Sequence, residues 1–243
     1  MKHQATLPGL YMSAPHTCHY LPERQAVNLF VDPDFPLDTG CYSGLARLGF
    51  RRSGQYIYRP HCPSCQACIP IRLPVSKFRP NRNQRRNLRR NAGLSFSERP
   101  AEYQEEHYRL YTRYLVQRHK DGGMDNPDPA SYRAFLISSW CETRFHEIRE
   151  GQRLLGVAVV DHLDDGLSAV YTFFDPDETH RSLGRYAVLM EIQLARSLGL
   201  DWLYLGYWVS GCRKMSYKNE YRPLQYFFEG RWQADIPWSR SGS

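Results

Sequence analysis

Tyr171-Thr-Phe-Phe-Asp-Pro-Asp-Glu-Thr-His-Arg-Ser-Leu-Gly-Arg-Tyr186 opens the stretch that decides the fold, and it runs on through Trp202-Leu-Tyr-Leu-Gly-Tyr-Trp208 to Gly211-Cys-Arg-Lys-Met-Ser-Tyr-Lys-Asn-Glu-Tyr-Arg-Pro223. Tyr171–Asp175 reads as a strand and Asp175–Arg181 as a proline-marked loop. A helix opens at Ser182 and ends near Gly199, and a second strand covers Trp202–Trp208. Strand, helix and strand at this spacing form a βαβ crossover, which in a sheet is nearly always right-handed. The start of such a helix presents unpaired N–H groups and partial positive charge at the strand ends. The crossover is therefore the expected active-site frame, and the basic turn Gly211–Pro223 lies beside it.

The 243 residues suffice for one large domain or two small ones with a real core. No apolar run is long enough to span a membrane, and the N-terminus lacks the apolar core of a signal peptide, so a cytoplasmic protein without membrane partners is expected. Seven cysteines, an odd number, then read as thiols or metal ligands rather than a disulfide frame.

Charge is distributed unevenly. From Thr39 to Ser97 there is no acidic residue, but Arg47, Arg51, Arg52, Arg59, Arg72, Lys77, Arg79, Arg82, Arg85, Arg86, Arg89 and Arg90 are all basic. The rest of the chain is net acidic, although the whole carries +7. Such regional polarity points to a polyanionic partner. Arg82, Arg85, Arg86, Arg89 and Arg90 fall at helical spacings on a helix expected to start at Pro80, so they share one face. Five arginines without a counter-charge repel one another unless phosphates lie across them, and this face is the expected phosphate-binding surface.

Elsewhere a helix is predicted near Gly40–Leu48, strands at Gln55–Arg59 and Ile69–Val75, and an amphipathic helix over 101–119 with Tyr103, His107, Leu110 and Tyr114 along its stripe. Asp121–Pro127 reads as a loop, and Asp128-Pro129 caps a short helix to Ser139. Three strands follow, Thr143–Arg149, Arg153–His162 and Leu167–Phe174, the last two joined at Asp165-Gly166. The boundary falls near residue 95, giving a Cys-rich, basic domain over 1–95 and a catalytic domain over 96–243.

An antiparallel meander feeding a βαβ unit is an α+β arrangement, and it resembles the acyl-transfer fold of the Gcn5-related N-acetyltransferases. In those enzymes a glycine-bearing turn at the helix start grips the pyrophosphate of coenzyme A. Here Arg181-Ser-Leu-Gly184-Arg-Tyr186 stands at that place, and Tyr186 is expected to fill the space a diphosphate needs. An acyl donor other than coenzyme A is the implied reading; a coenzyme A-dependent N-acetyltransferase is the alternative.

Tyr171-x-Phe-Phe-Asp-Pro176, Ser182-Leu-Gly-x-Tyr186, Leu189-Met-Glu-Ile192, Tyr204-Leu-Gly-Tyr207 and Cys212-x-Lys-Met-x-Tyr-Lys-x-x-Tyr-x-Pro223, with Cys18 and the Cys62–Arg72 segment, resemble the arginyl-tRNA–protein transferase family over nearly the whole chain. Its compactness is like the bacterial, leucine-transferring branch. The resemblance implies an aminoacyl-tRNA–protein transferase that moves leucine, or alternatively arginine, from its tRNA onto proteins with an N-terminal Asp or Glu and so marks them for degradation. It implies leucyl-tRNA and acidic N-termini as partners, and no cofactor required for transfer. Eukaryotic members carry Cys-x-x-Cys near the N-terminus, where this chain has Cys18-His-Tyr-Leu21. A metal site would thus need Cys18 with Cys62, Cys65 and Cys68, a set that suits zinc or an iron–sulfur cluster, or else packs as reduced thiols.

Aminolysis of an aminoacyl ester by an amine that titrates near pH 8 asks more of positioning than of a general base. An acidic acceptor side chain needs cations, and Arg181, Lys214, Lys218 and Arg222 are the candidates. Lys214 and Lys218, four apart, would point the same way on a helical turn. Glu191 sits at the edge of the stripe Leu183, Ala187, Met190, Leu194 and Leu198, so at least half its carboxylate should be buried, either as a structural partner or as a proton acceptor. Asp175 is the other candidate base and Tyr207 a candidate proton donor to the leaving ribose oxygen. Tyr171, Tyr186, Tyr217 and Trp208 offer rings for the terminal adenosine, with Gly184 at the turn below them.

Overall fold

The computed structural model describes residues 8–118 and 128–234. The expected Asp121–Pro127 loop lies outside them. The strands in chain order are β1 (Leu10–Met12), β2 (His16–Thr17), β3 (Gln25–Ala26), β4 (Asn28–Val31), β5 (Arg51–Ser53), β6 (Tyr56–Pro60), β7 (Cys68–Pro74), β8 (Ser95–Pro100), β9 (Thr143–Glu150), β10 (Arg153–His162), β11 (Gly166–Phe174), β12 (Trp202–Val209), β13 (Gln225–Phe228) and β14 (Arg231–Gln233). The α-helices are α1 (Thr39–Arg47), α2 (Arg82–Arg90), α3 (Glu105–Arg118), α4 (Pro129–Leu136) and α5 (Leu183–Ser197). Short 3-10 segments cover Val75–Lys77, Thr179–Arg181 and Arg213–Glu220.

Eight strands make one mixed sheet in the order β14-β13-β7-β12-β11-β10-β9-β8. Only β11 and β12 run parallel, joined by α5; every other pair is antiparallel. A smaller sheet, β1-β4-β6-β5, lies beside it. The fold is thus mixed α and β around a large mixed sheet. The chain begins the crossover as expected, because Asp165-Gly166 turns β10 into β11.

The run Leu154–Val160 explains the layering. Leu155, Ala158 and Val160 face α5, where they pack with Leu183, Ala187, Ile192, Leu203 and the β7 residues Ile71 and Leu73. Leu154, Val157 and Val159 face α3 and α4 and pack with Leu115, Tyr132 and Phe173. An interior strand covered on both faces reads as a nearly continuous apolar run rather than an alternation. A third cluster, with Tyr42, Leu45, Ile57, Leu163 and Tyr204, joins α1 and the small sheet to the large one. There Arg52, fully buried, donates from Nε and Nη2 to the two oxygens of Asp161 at 2.7 and 2.8 Å.

The boundary expected near residue 95 falls between two strands of one sheet, since β7 is hydrogen-bonded between β12 and β13 while β8 forms the far edge. The arginine helix starts at Arg82 rather than Pro80. Asn81 accepts from the Gln84 N–H at 3.0 Å, and the Gln84 side chain accepts from the Asn81 N–H at 2.9 Å, which caps the end reciprocally. Among the described residues no helix is long and apolar enough to cross a membrane.

Candidate active site where two parallel strands part

The parallel pairing of β11 with β12 covers only Gly166–Ser168 against Trp202–Tyr204. Beyond it the strands leave carbonyls that need donors. On the β11 side, Arg51 of β5 donates from Nη2 to Ala169 O at 3.1 Å and to Val170 O. On the β12 side, the buried Lys218 donates from Nζ to Leu205 O at 2.7 Å and to Tyr207 O at 3.0 Å. Gly206, between those two carbonyls, has φ of 72°, and a Cβ there would stand 1.8 Å from Arg51 Nη1. Only glycine admits the guanidinium at this point.

Glu191 of α5 completes the group. It is 0% exposed, and among the described residues neither carboxylate oxygen has a hydrogen-bond partner. Burial pushes its carboxyl up to about 7 against the opposing pull of Arg51. The buried stripe differs from the expected one by one face: Leu198 is 50% exposed, and Glu191 belongs with Ala187, Val188, Ile192 and Ala195 on the buried side. Burial likewise lifts the Tyr217 hydroxyl to about 12, with Arg51 opposing and Glu191 and Tyr114 adding to it. Lys218 is pushed well below an ordinary lysine, first by desolvation and then by Arg51. Glu191, Tyr217 and Lys218 therefore all lie within the electrostatic reach of Arg51, a residue that sequence reasoning leaves undistinguished among twelve basic ones.

Other expected site residues are placed elsewhere. Lys214 and Lys218 do not point the same way, because Arg213–Glu220 is a 3-10 helix; Lys214 is exposed and Lys218 is 6% exposed. Lys218 thus serves two backbone carbonyls rather than an acceptor's side chain. Arg181 pairs with Glu178 at 2.8 Å and Glu150 at 2.6 Å, and Arg222 is exposed and donates to Tyr226 Oη at 2.9 Å. Asp175 is almost fully buried. Burial would raise its carboxyl, but the Asp177 N–H and the guanidiniums of Arg153 and Arg113 hold it below the ordinary value, which makes it an anchor rather than a base at neutral pH. The buried Tyr207 hydroxyl faces the small sheet, within 3.2 Å of Gly49 O and 3.0 Å of Tyr58 O, and burial raises it far above an ordinary tyrosine. A phenol so held is a poor proton donor to a substrate.

Among the rings, Tyr171 packs against Tyr111, Tyr114 and Phe135 on the α3 side of the sheet. Tyr186 turns into the core on the α5 side, so it does not bar a ligand from the helix start. Trp208 meets Tyr226 edge-on. Gly184 allows close packing instead of a phosphate: a Cβ there would stand 3.1 Å from Phe174 Cε1.

All five arginines of α2 are exposed, and among the described residues none pairs with a carboxylate. The opposite face of α2 docks through amides as well as through Leu88, which packs against the core. Gln84 donates to Glu220 O at 3.1 Å, Asn87 to Arg181 O at 2.9 Å, and Asn91 to Arg181 O at 3.0 Å. A cavity of about 150 Å³ between α2 and the start of α5 is lined by Arg86, Arg90, Arg185, Ser182 and Tyr221 among others. Of the cysteines, Cys18, Cys62, Cys65 and also Cys212 surround Cys68. Burial and then those neighbours push the Cys68 thiol up to about 12. The thiols gather, but among the described residues no three of them bring their sulfurs within 4.8 Å of one another. Their chemistry suits a soft metal, and their spacing would have to tighten to hold one.

Residues 16–86 match the model of the N terminus of arginine-tRNA-protein transferase, and residues 106–228 match that of its C terminus. These matches define an aminoacyl-tRNA-dependent acyltransferase. The chain belongs to the arginine-tRNA-protein transferase family. It is 52% identical over 224 residues, 92% of this chain and 95% of the relative, to an aspartate/glutamate leucyltransferase of Pseudomonas aeruginosa (strain LESB58). It is 50% identical over 222 residues, 91% of this chain and 94% of the relative, to one of Pseudomonas fluorescens (strain Pf0-1).

Proposed function

We propose that this chain moves leucine from leucyl-tRNA to the α-amine of proteins that begin with Asp or Glu, marking them for N-degron degradation in the cytoplasm. The observation that carries this reading is the identity of 50–52%, over more than nine-tenths of the chain, to relatives named for that transfer. In the reaction the amine nitrogen attacks the ester carbonyl carbon, an amide bond forms, and the bond to the ribose oxygen breaks. The amine gives up a proton and the ribose oxygen gains one, so no net redox change occurs and no cofactor enters the transfer.

The parted β11 and β12 give this reading its geometry. We take the fold to be of the Gcn5-related acyltransferase type, with the leucyl ester entering where the two strands separate. Arg82, Arg85, Arg86, Arg89 and Arg90 hold acceptor-stem phosphates. Tyr217 and its neighbour Tyr114 offer rings to the terminal adenosine. Glu191, whose carboxyl titrates near neutrality, accepts the amine's proton. The exposed Lys214 and Arg222 receive the acidic side chain of the acceptor. Residues 1–95 chiefly serve the tRNA and residues 96–243 the transfer. The cysteines around Cys68 are the place for a structural or regulatory zinc or iron–sulfur cluster.

One assay separates the readings. Purified protein is given leucyl-tRNA or arginyl-tRNA with peptides beginning Asp, Glu or Ala. Transfer of leucine to the Asp and Glu peptides alone is expected. Transfer of arginine instead changes the donor, and no transfer from either tRNA sinks the assignment.

A further inference from the structure

Away from the parted strands, the far end of the large sheet holds three side chains whose ligand atoms converge. Glu98 of β8, His146 of β9 and His162 of β10 bring one ligand atom each to within 4.8 Å of the other two. Strand register explains how. Glu98 stands opposite His146, and His146 opposite Ala158, so the three share a face. His162 lies two alternations beyond Ala158 and therefore points to the same side. The His146 ring is fixed by stacking on Phe96, with centroids 4.9 Å apart and planes 6° from parallel.

Two further facts point to a ligand. His146 is 1% exposed, yet among the described residues its Nε2 has no hydrogen-bond partner, and the buried Nε2 of His162 has none either. Buried polar atoms in native proteins are almost always satisfied. The charged neighbours are Arg144, whose Nε lies 3.4 Å from Glu98 Oε1, and Glu142, which accepts from Arg144 Nη2 at 3.0 Å. Arg144 can stay with Glu142 when Glu98 turns inward.

The geometry points to a divalent first-row metal site formed by Glu98, His146 and His162, of the zinc class, which ties the edge strand β8 to β9 and β10. Two imidazole nitrogens and a carboxylate oxygen form a common zinc donor set, with water free to complete the shell. Ligand atoms around a tetrahedral ion at roughly 2.0–2.1 Å stand about 3.4 Å apart, so rotamer adjustments of about 1 Å close the site. The ion gives each orphaned nitrogen a partner and clips an otherwise open sheet edge. This inference does not depend on the transfer reaction.

The test uses the whole chain with Cys62→Ser and Cys65→Ser, so that thiols do not compete, and Co²⁺ as the probe. One equivalent is expected to bind with weak visible d–d bands and without the intense near-ultraviolet band of a cobalt thiolate. Zn²⁺ should displace it and raise the thermal midpoint. His162→Ala or Glu98→Ala, both outside the core, should weaken Co²⁺ binding at least about 100-fold, more than loss of a supporting partner usually costs. Circular dichroism of these two variants without metal confirms that they fold. No Co²⁺ uptake, or uptake indifferent to both substitutions, overturns the site.

Discussion

A carboxylate buried without a donor is disfavoured in its charged form, so Glu191 couples stability to pH. Its folded carboxyl titrates near 7 against an ordinary 4.5, so the folded chain holds a proton that the unfolded chain releases earlier. The stability this contributes is whole below about pH 4.5 and is lost as pH rises through about 7. Glu191→Gln stays neutral throughout. It should match the wild type near pH 4 and exceed it by roughly 3 kcal/mol at pH 8, since each tenfold change in proton affinity is worth about 1.4 kcal/mol. As proton acceptor, Glu191 should also give transfer an acid limb near pH 7, which Gln removes together with about 10²–10⁴ of the rate. Chemical denaturation and single-turnover transfer across pH read both effects; a Gln variant that keeps the wild-type rate and profile makes Glu191 structural only. At Gly206 the expectation concerns packing. Gly206→Ala meets both a positive φ and the Arg51 guanidinium, and should cost at least about 2 kcal/mol. Paired with Arg51→Ala the cost should fall short of the sum, since the clash is gone. Additive losses in urea melts would mean that the two residues do not meet. Glu191 is visible in the sequence as an acid beside an apolar stripe. Arg51 is not, because nothing local marks which of twelve neighbouring cations turns inward; its trace lies at Gly206, where a glycine inside a strand signals close approach.

At the scale of elements, spacing alone reveals the exposed face of α2, but not its docking. Gln84, Asn87 and Asn91 bind carbonyls of Glu220 and Arg181, partners so distant in sequence that no periodicity reveals them. The opposite error arises at Arg213–Glu220, where a spacing of four suggests one face although the segment is a 3-10 helix with three residues per turn. The crossover α5 is legible as an element because its apolar residues repeat at helical spacing between two apolar strands, although the rotation of its buried stripe is not. The division of labour in α2 yields a distinct expectation for each face. Replacing Arg82, Arg86 and Arg89 with Ala should leave the melting temperature nearly unchanged. It should weaken tRNA binding and flatten the slope of log affinity against log salt by up to roughly 0.9 for every phosphate left without its cation. Asn87→Ala should instead loosen α2 from α5 and lower stability by about 1–2 kcal/mol with little change in that slope. Filter binding over a salt series with urea melts separates the two; an unaltered slope in the triple variant would move the RNA to another surface.

On the scale of the whole molecule, the question is whether residues 1–95 and 96–243 are separable. Composition divides them sharply, because charge and cysteine content change near residue 95, but composition reports the surface and hydrogen bonding decides the sheet. β7 supplies Ile69, Ile71 and Leu73 to the core under α5, and both of its edges are paired, to β12 and to β13. Without it, β12 would present an open edge and the apolar face of α5 would lose part of its floor. Arg51 and Arg52, from the same N-terminal part, satisfy the carbonyls of β11 and the carboxylate of Asp161, and an unpaired buried Asp161 alone would cost about 3–5 kcal/mol. The chain from residue 96 onward should therefore fail to fold by itself, with no sharp near-ultraviolet dichroism, no cooperative melt and no transfer from leucyl-tRNA. Adding residues 1–95 as a separate chain should restore some of each, because the missing strand and the two arginines return together. The intact chain should unfold in one calorimetric transition with equal van't Hoff and calorimetric enthalpies. Two resolved transitions, or a folded fragment from residue 96 that melts cooperatively, would show that the boundary drawn from composition is also a boundary of stability.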